Sequence, residues 1–109
     1  YKLNNIVAFV DWNGLQIDGE NDKVMTVKPI DEKFKAFGWH VQVIDGHNFD
    51  EIFAALDDTK KVSDKPSIII AHTHKGQGVS FMKDNAGWHG KAPNEEQAKQ
   101  AVEELGGQW

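Results

Sequence analysis

The side chains whose types and spacing could do chemistry fall in separate stretches. One is Val10-Asp11-Trp12-Asn13-Gly14-Leu15-Gln16-Ile17-Asp18-Gly19. Asn13 offers an amide oxygen, and Gly14 lets the chain turn so that a following carbonyl can face the same point. Neutral oxygens of this kind suit Mg²⁺ or Ca²⁺. Asn-Gly is equally the composition of a plain strand-to-loop turn. Another stretch is His72-Thr73-His74-Lys75-Gly76-Gln77-Gly78. Its His-x-His spacing puts both imidazoles on one side of an extended chain, which is compatible with a transition metal. Lys75 beside glycines is a cation next to backbone that a ligand can approach closely, as a phosphate or carboxylate contact requires. The GxxxxGK[ST] spacing of a P-loop is missing, and a solvated lysine in a glycine turn has the same composition. In Gly87-Trp88-His89-Gly90, His89 could donate to a phosphate or an oxyanion, or move a proton near neutral pH. The alternative is a surface loop held by Trp88.

Positioning these residues falls to the apolar runs before them. In Asn5 to Val10, the five residues after Asn5 are apolar on consecutive positions, the mark of a strand buried on both faces of a parallel sheet. Trp39 to Ile44 is a second strand, ending in Asp45-Gly46-His47, and Ser67 to Ala71 is a third, after Lys65-Pro66. Between them, Pro29 precedes a helical pattern with Ile30, Phe34 and Phe37 on one face and Gly38 as its stop. Asn48 and Glu51 have capping-box spacing, and Phe49, Ile52, Phe53 and Leu56 then recur as an apolar face. Trp39, Phe49 and Phe53 are read as core residues, and Lys60 and Lys61 suit the dipole at that helix's end. Glu20 to Lys23 reads as a polar turn and Val24 to Lys28 as extended or irregular. Asn94 with Gln97 repeats the capping spacing ahead of Ala98, Ala101, Val102 and Leu105, which stop at Gly106-Gly107. Strands alternating with helices predict an α/β fold of parallel βαβ units. The polar strand ends then share one edge, where open α/β sheets bind ligands.

Composition bounds the rest. The 109 residues, 39% hydrophobic and 27% charged, suit one globular domain or part of one. No apolar run approaches a membrane span. The net charge of −5 without a basic stripe argues against a nucleic-acid partner. Cysteine is absent, which removes thiolate chemistry and disulfides and is compatible with a cytoplasmic protein. The chain opens Tyr1-Lys2-Leu3-Asn4-Asn5 and enters a strand of central character at once, so it is expected to be a piece of something larger.

Taken together, four blocks resemble transketolases in the right order. Asn5 to Gly19 is similar to the end of their thiamine-diphosphate motif. Phe34 to Val41 with Asp45-Gly46-His47 matches the next family block, followed by His74 to Met82 and then Gly87 to Pro93. The wording is closest to the separate N-terminal subunits of split bacterial transketolases. The resemblance implies a doubly wound parallel sheet with flanking helices, the thiamine-diphosphate-binding fold, with residues 1–109 as the C-terminal portion of that domain. It implies that Asn13 gives a side-chain ligand and Leu15 a backbone carbonyl to Mg²⁺ (or Ca²⁺). Ile17 would lie against the cofactor, and Lys75 and His89 would face the diphosphate and a sugar-phosphate substrate, His89 with a catalytic role. The reaction implied is two-carbon ketol transfer between sugar phosphates.

The same resemblance implies parts that lie elsewhere. The family's Gly-Asp-Gly, whose aspartate also binds the metal, stands upstream of the asparagine, as do further histidines. The glutamate that activates the cofactor belongs to a C-terminal transketolase subunit or domain, so a homo- or hetero-oligomer is expected and the isolated chain should be inactive. Two alternatives remain at this point. One is a component of another thiamine-diphosphate enzyme, of the deoxyxylulose-phosphate synthase or 2-oxoacid dehydrogenase type. The other is a non-catalytic α/β subunit-interaction module.

Overall fold

Ile68, Ile69, Ile70 and Ala71 are almost wholly shielded from water, and the two other strands of the parallel sheet flank them. The computed structural model describes residues 1–109. Its elements are β1 (Val7–Trp12), β2 (Leu15–Gln16), β3 (Gly19–Glu20), α1 (Asn21–Val24), α2 (Ile30–Ala36), β4 (His40–Asp45), α3 (Phe49–Thr59), β5 (Ser67–His72), a 3-10 turn (Ala86–Trp88) and α4 (Glu95–Glu104). They divide into two units, one of residues 1–12 and 27–73, the other of residues 13–26 and 74–109.

The first unit is a parallel three-stranded sheet in the order β1-β5-β4. A strand with neighbours on both sides and helices on both faces has no solvent-facing row, which explains the unbroken apolar run at 68–71. Residues of one parity, Ile69, Ala71 and Ile44, pack with Ala55, Ile52 and Leu56 of α3. On the opposite face Ile30 of α2 borders Val43 and Ile70, and with Phe34 it borders Val10. The helices therefore cover both faces, as in a doubly wound sheet. Polar ties add to the α3 side. His40 Nε2 meets Asp58 Oδ2 at 2.9 Å, Gln42 Nε2 donates to the Ala55 carbonyl at 3.1 Å, and the Asp45 N–H donates to Glu51 Oε2 at 2.8 Å. In register, Trp12, His72 and Asp45 lie side by side, so the strands end together on one edge.

The structure departs from the sequence expectations in several places. β1 is not buried on both faces: it is an edge strand in this chain, and Phe9 is 50% exposed because its face of the strand, shared with Val7 and Asp11, is left uncovered. Phe49 and Phe53 are exposed as well, since small Ala55 lets α3 approach the sheet along the Ile52–Leu56 line and turns both rings to the side. Asn48 caps α3 through the Asp50 and Glu51 N–H groups, but Glu51 reaches Asp45 rather than completing the box. Lys60 and Lys61 pair with Asp57 and Asp58. At α4 the full reciprocal box of Asn94 and Gln97 is present.

The second unit has no large core. The β2–β3 hairpin and the short α1, neither of them expected from the sequence, fill residues 15–24. The turn is centred on Ile17-Asp18, with Gly19 already paired to Gln16, so the Asp-Gly dipeptide does not stand at the central positions where it signals a hairpin. The long segment 74–94 folds into successive turns around the 3-10 turn and leads into α4.

Candidate active site

Asn13 is held before any ligand arrives. Its Oδ1 accepts the Leu15 N–H at 3.0 Å, closing a local turn, and Gly14 takes a φ of +72° that a side chain would resist. The Gly14 carbonyl accepts the Asn21 N–H at 2.9 Å, and Gln16 Nε2 donates to the Met25 carbonyl. An amide oxygen has two lone pairs, so the turn orients Asn13 Oδ1 and leaves it one further partner. Ile17, at the tip of the hairpin, is 69% exposed, an apolar side chain facing outward where a packed molecule would shield it.

Lys75 sits at the neck of a loop that closes on itself. Gln77 N–H donates to the His74 carbonyl, Val79 N–H to Gly76, and Asp84 N–H to Lys75 at 2.8 Å. A Cβ on Gly76 would come within 2.6 Å of Met82 Cβ, so only glycine allows this approach. His89 follows the 3-10 turn, whose first residue is preceded by Asn85, its Oδ1 accepting the Gly87 N–H at 2.9 Å. Trp88 anchors the segment: Nε1 donates to the Phe81 carbonyl at 2.9 Å, its ring lies 5.4 Å from Phe81, and Lys91 Nζ stands 4.7 Å over it. The His89 imidazole is exposed, and neither it nor the Lys75 ammonium has a hydrogen-bond or ion-pair partner in the protein.

Asn13, Leu15, Gln16, Ile17, Asp18, Lys75 and His89 line one cavity of about 490 Å³. Every residue expected at the cofactor and metal is therefore on it, together with Gln16 and Asp18, which the sequence did not single out. The His72-x-His74 pair is not assembled as a metal centre: no group of three His, Cys, Asp or Glu side chains is placed to hold an ion. The His74 ring instead meets Asp84, Nδ1 lying 2.9 and 3.1 Å from the carboxylate oxygens. For Mg²⁺, two of the lining residues carry oxygens of the right kind, the Asn13 amide and the Leu15 carbonyl. They fit part of an octahedral shell, and both are neutral. A cation and an imidazole opposite such oxygens suit a diphosphate in kind.

Glu104 ties α4 to the Lys75 loop from outside the cavity. Its carboxylate accepts the Ser80 N–H, the Ser80 hydroxyl and Gln100 Nε2, and these donors, the Ser80 N–H foremost, hold its carboxyl below the usual range. A Cβ on Gly78 would stand 2.7 Å from Leu105 Cδ2, so the loop lies close against the helix end.

Residues 1–108 match the family model described as "Transketolase, thiamine diphosphate binding domain". The chain is 44% identical over 104 residues to the 6-deoxy-6-sulfo-D-fructose transketolase subunit SqwG of Clostridium sp. (strain MSTE9), covering 95% of this chain and 38% of that protein. It is 42% identical over 108 residues to one subunit of the apulose-4-phosphate transketolase of Phocaeicola vulgatus, covering 96% of this chain and 37% of that protein. The crystal structure of transketolase from Campylobacter jejuni superposes with a TM-score of 0.87 at 34% identity, covering 98% of this chain and 17% of that one. The chain thus spans under two-fifths of the curated subunits it matches. A match over nearly the whole chain, at this identity and with this fold, leaves one conclusion: the chain belongs to the transketolase thiamine-diphosphate-binding domain family.

Proposed function

We propose that residues 1–109 are the C-terminal portion of a transketolase diphosphate-binding domain, working in a cytoplasmic enzyme that moves a two-carbon ketol unit between sugar phosphates. One observation carries this reading: side chains from the Asn13, Lys75 and His89 blocks, far apart in sequence, line a single cavity. Two of them, Lys75 and His89, are left without protein partners.

When bound, thiamine diphosphate supplies the carbanion carrier that such a transfer needs. The chain's own residues do the rest of the binding. Asn13 Oδ1 and the Leu15 carbonyl hold part of the shell of Mg²⁺ (or Ca²⁺), with the carboxylate supplied by an upstream Gly-Asp-Gly segment of the parent domain. Lys75 adds positive charge opposite the diphosphate. Ile17, exposed on the cavity lining, would pack against the bound cofactor and shield it from water. The His89 imidazole donates to the anionic end of cofactor or substrate and steadies charge that develops there. The second wall of the site comes from a C-terminal transketolase subunit or domain in a homo- or hetero-oligomer.

The test is a two-carbon transfer assay on the full-length subunit containing this chain, reconstituted with its partner. Transfer between a ketose phosphate and an aldose phosphate should require both thiamine diphosphate and a divalent cation. Transfer that persists without the cofactor, or none when every component is present, contradicts the proposal.

A further inference from the structure

We infer that Asp84 is a positioning residue for Lys75, acting through its side-chain hydrogen bond with the His74 ring and its backbone hydrogen bond to Lys75. The inference rests on Lys75 facing the diphosphate, as proposed above.

The geometry makes Asp84 a clamp on both residues at the neck of the loop. Its N–H donates to the Lys75 carbonyl at 2.8 Å. Its carboxylate, which can only accept, takes the Nδ1–H of His74 at 2.9 and 3.1 Å. One residue therefore fixes the main chain of Lys75 and the side chain just before it. Asp84 does this from a φ of +55°, a left-handed conformation that a side chain adopts at a cost and that Asp and Asn tolerate best. Such a conformation persists where surrounding contacts determine it. Here the turns on either side do so: Val79 N–H to the Gly76 carbonyl, Met82 N–H to Val79 and Asn85 N–H to Met82.

The pair adds little to global stability. The His74 and Asp84 side chains are each about half exposed, and exposed pairs are weak. What the clamp does is local. Lysine is a flexible four-carbon stem with a point charge at its tip, and it has much freedom to lose when it engages an anion. Fixing its backbone before binding lowers that loss, which is preorganisation. Asp84 and His74 touch no ligand themselves. Neither lines the cavity that Lys75 enters.

The experiment uses the full-length subunit with its partner and measures calorimetric affinity for thiamine diphosphate in Mg²⁺, with KM for the cofactor, kcat at saturation and thermal melts alongside. Lys75→Ala is the reference variant. His74→Ala and Asp84→Gly, which keeps the left-handed backbone and deletes the carboxylate, should each weaken cofactor binding by about two- to fivefold, the most that an exposed pair can contribute. The double variant should lose no more than either single one, because both remove one interaction. Asp84→Asn, which keeps an acceptor and tolerates the backbone, should retain most of the affinity. In the His74 and Asp84 variants, melting temperature and kcat at saturation should stay near wild type. Wild-type affinity in His74→Ala and Asp84→Gly while Lys75→Ala binds weakly overturns the clamp and leaves the role of Lys75 standing. Additive losses, or losses that track the melting temperature, overturn it too. If Lys75→Ala itself binds normally, the proposed role of Lys75 fails and the clamp with it.

Discussion

Asn13 and His89 face the same cavity but are held differently, and their substitutions should fail differently. His89 is exposed, follows a segment anchored by Trp88, and has no protein partner. Removing it creates no core cavity. In the reconstituted enzyme His89→Ala should cut kcat/KM by about 10²-fold or more, with an unchanged thermal melt, because a placed donor or acid is worth that much to a charged transition state. Near-normal efficiency, or a loss that merely follows unfolding, would return His89 to the status of a loop histidine. Asn13→Ala deletes both the candidate metal ligand and the acceptor of the Leu15 N–H. Cofactor affinity should fall first, and activity should partly recover at high Mg²⁺ and thiamine diphosphate. A kcat defect that saturating cofactor and metal leave untouched would contradict a ligand role. At this scale the sequence was informative about residue type and weak about partners. Asn13, Lys75 and His89 are visible as an amide, a cation and an imidazole among glycines. That Asp84 meets both His74 and the Lys75 backbone was not visible, because the contact depends on a left-handed residue in a loop without periodicity.

Elements were legible where one physical signal dominated. The unbroken Ile68–Ala71 run predicted a strand, and β5 is that strand, with Ile69 fully enclosed. Ile69→Ala should destabilise the fold by about 2–5 kcal/mol, measured by denaturant titration. A loss below about 1 kcal/mol, on the scale of an exposed site, would show that β5 is not the core. The Asn94–Gln97 box likewise announced α4 correctly. β1 misled because an apolar edge strand and an apolar central strand read alike in one chain, and only pairing tells them apart. Phe49 and Phe53 misled because helical spacing fixes a stripe but not which part of it meets the sheet. The link from α4 to the Lys75 loop makes a pH prediction. Glu104 has a lowered carboxyl pKa in the folded chain because Ser80 and Gln100 donate to it. Its stabilisation is therefore complete above the unfolded glutamate value of about 4.3 and lost as pH falls through the lower folded value. Melts across pH should show Glu104→Ala less stable than wild type near neutrality, with the gap closing in acid. A gap that is constant with pH would mean the carboxylate is not the tie.

For the whole molecule, the family was readable because four ordered blocks constrain far more than any one motif. Under the proposed function, the groups that complete catalysis lie partly outside these residues. Two neutral oxygens, Asn13 Oδ1 and the Leu15 carbonyl, do not strip water from Mg²⁺, which dehydrates reluctantly and asks for near-octahedral oxygen coordination. A single cation at Lys75 does not replace a metal-binding carboxylate or the opposite wall. Under the proposed function, the cavity is thus a partial site that binds the cofactor only within a larger assembly. The most direct test is one calorimetric titration of thiamine diphosphate with excess Mg²⁺, run on the isolated 109-residue chain and on the full-length subunit with its partner. Weak binding by the chain alone and Mg²⁺-dependent binding at micromolar or tighter affinity by the assembly is the predicted result. Micromolar Mg²⁺-dependent binding by the isolated chain, or none by the assembly, would contradict it.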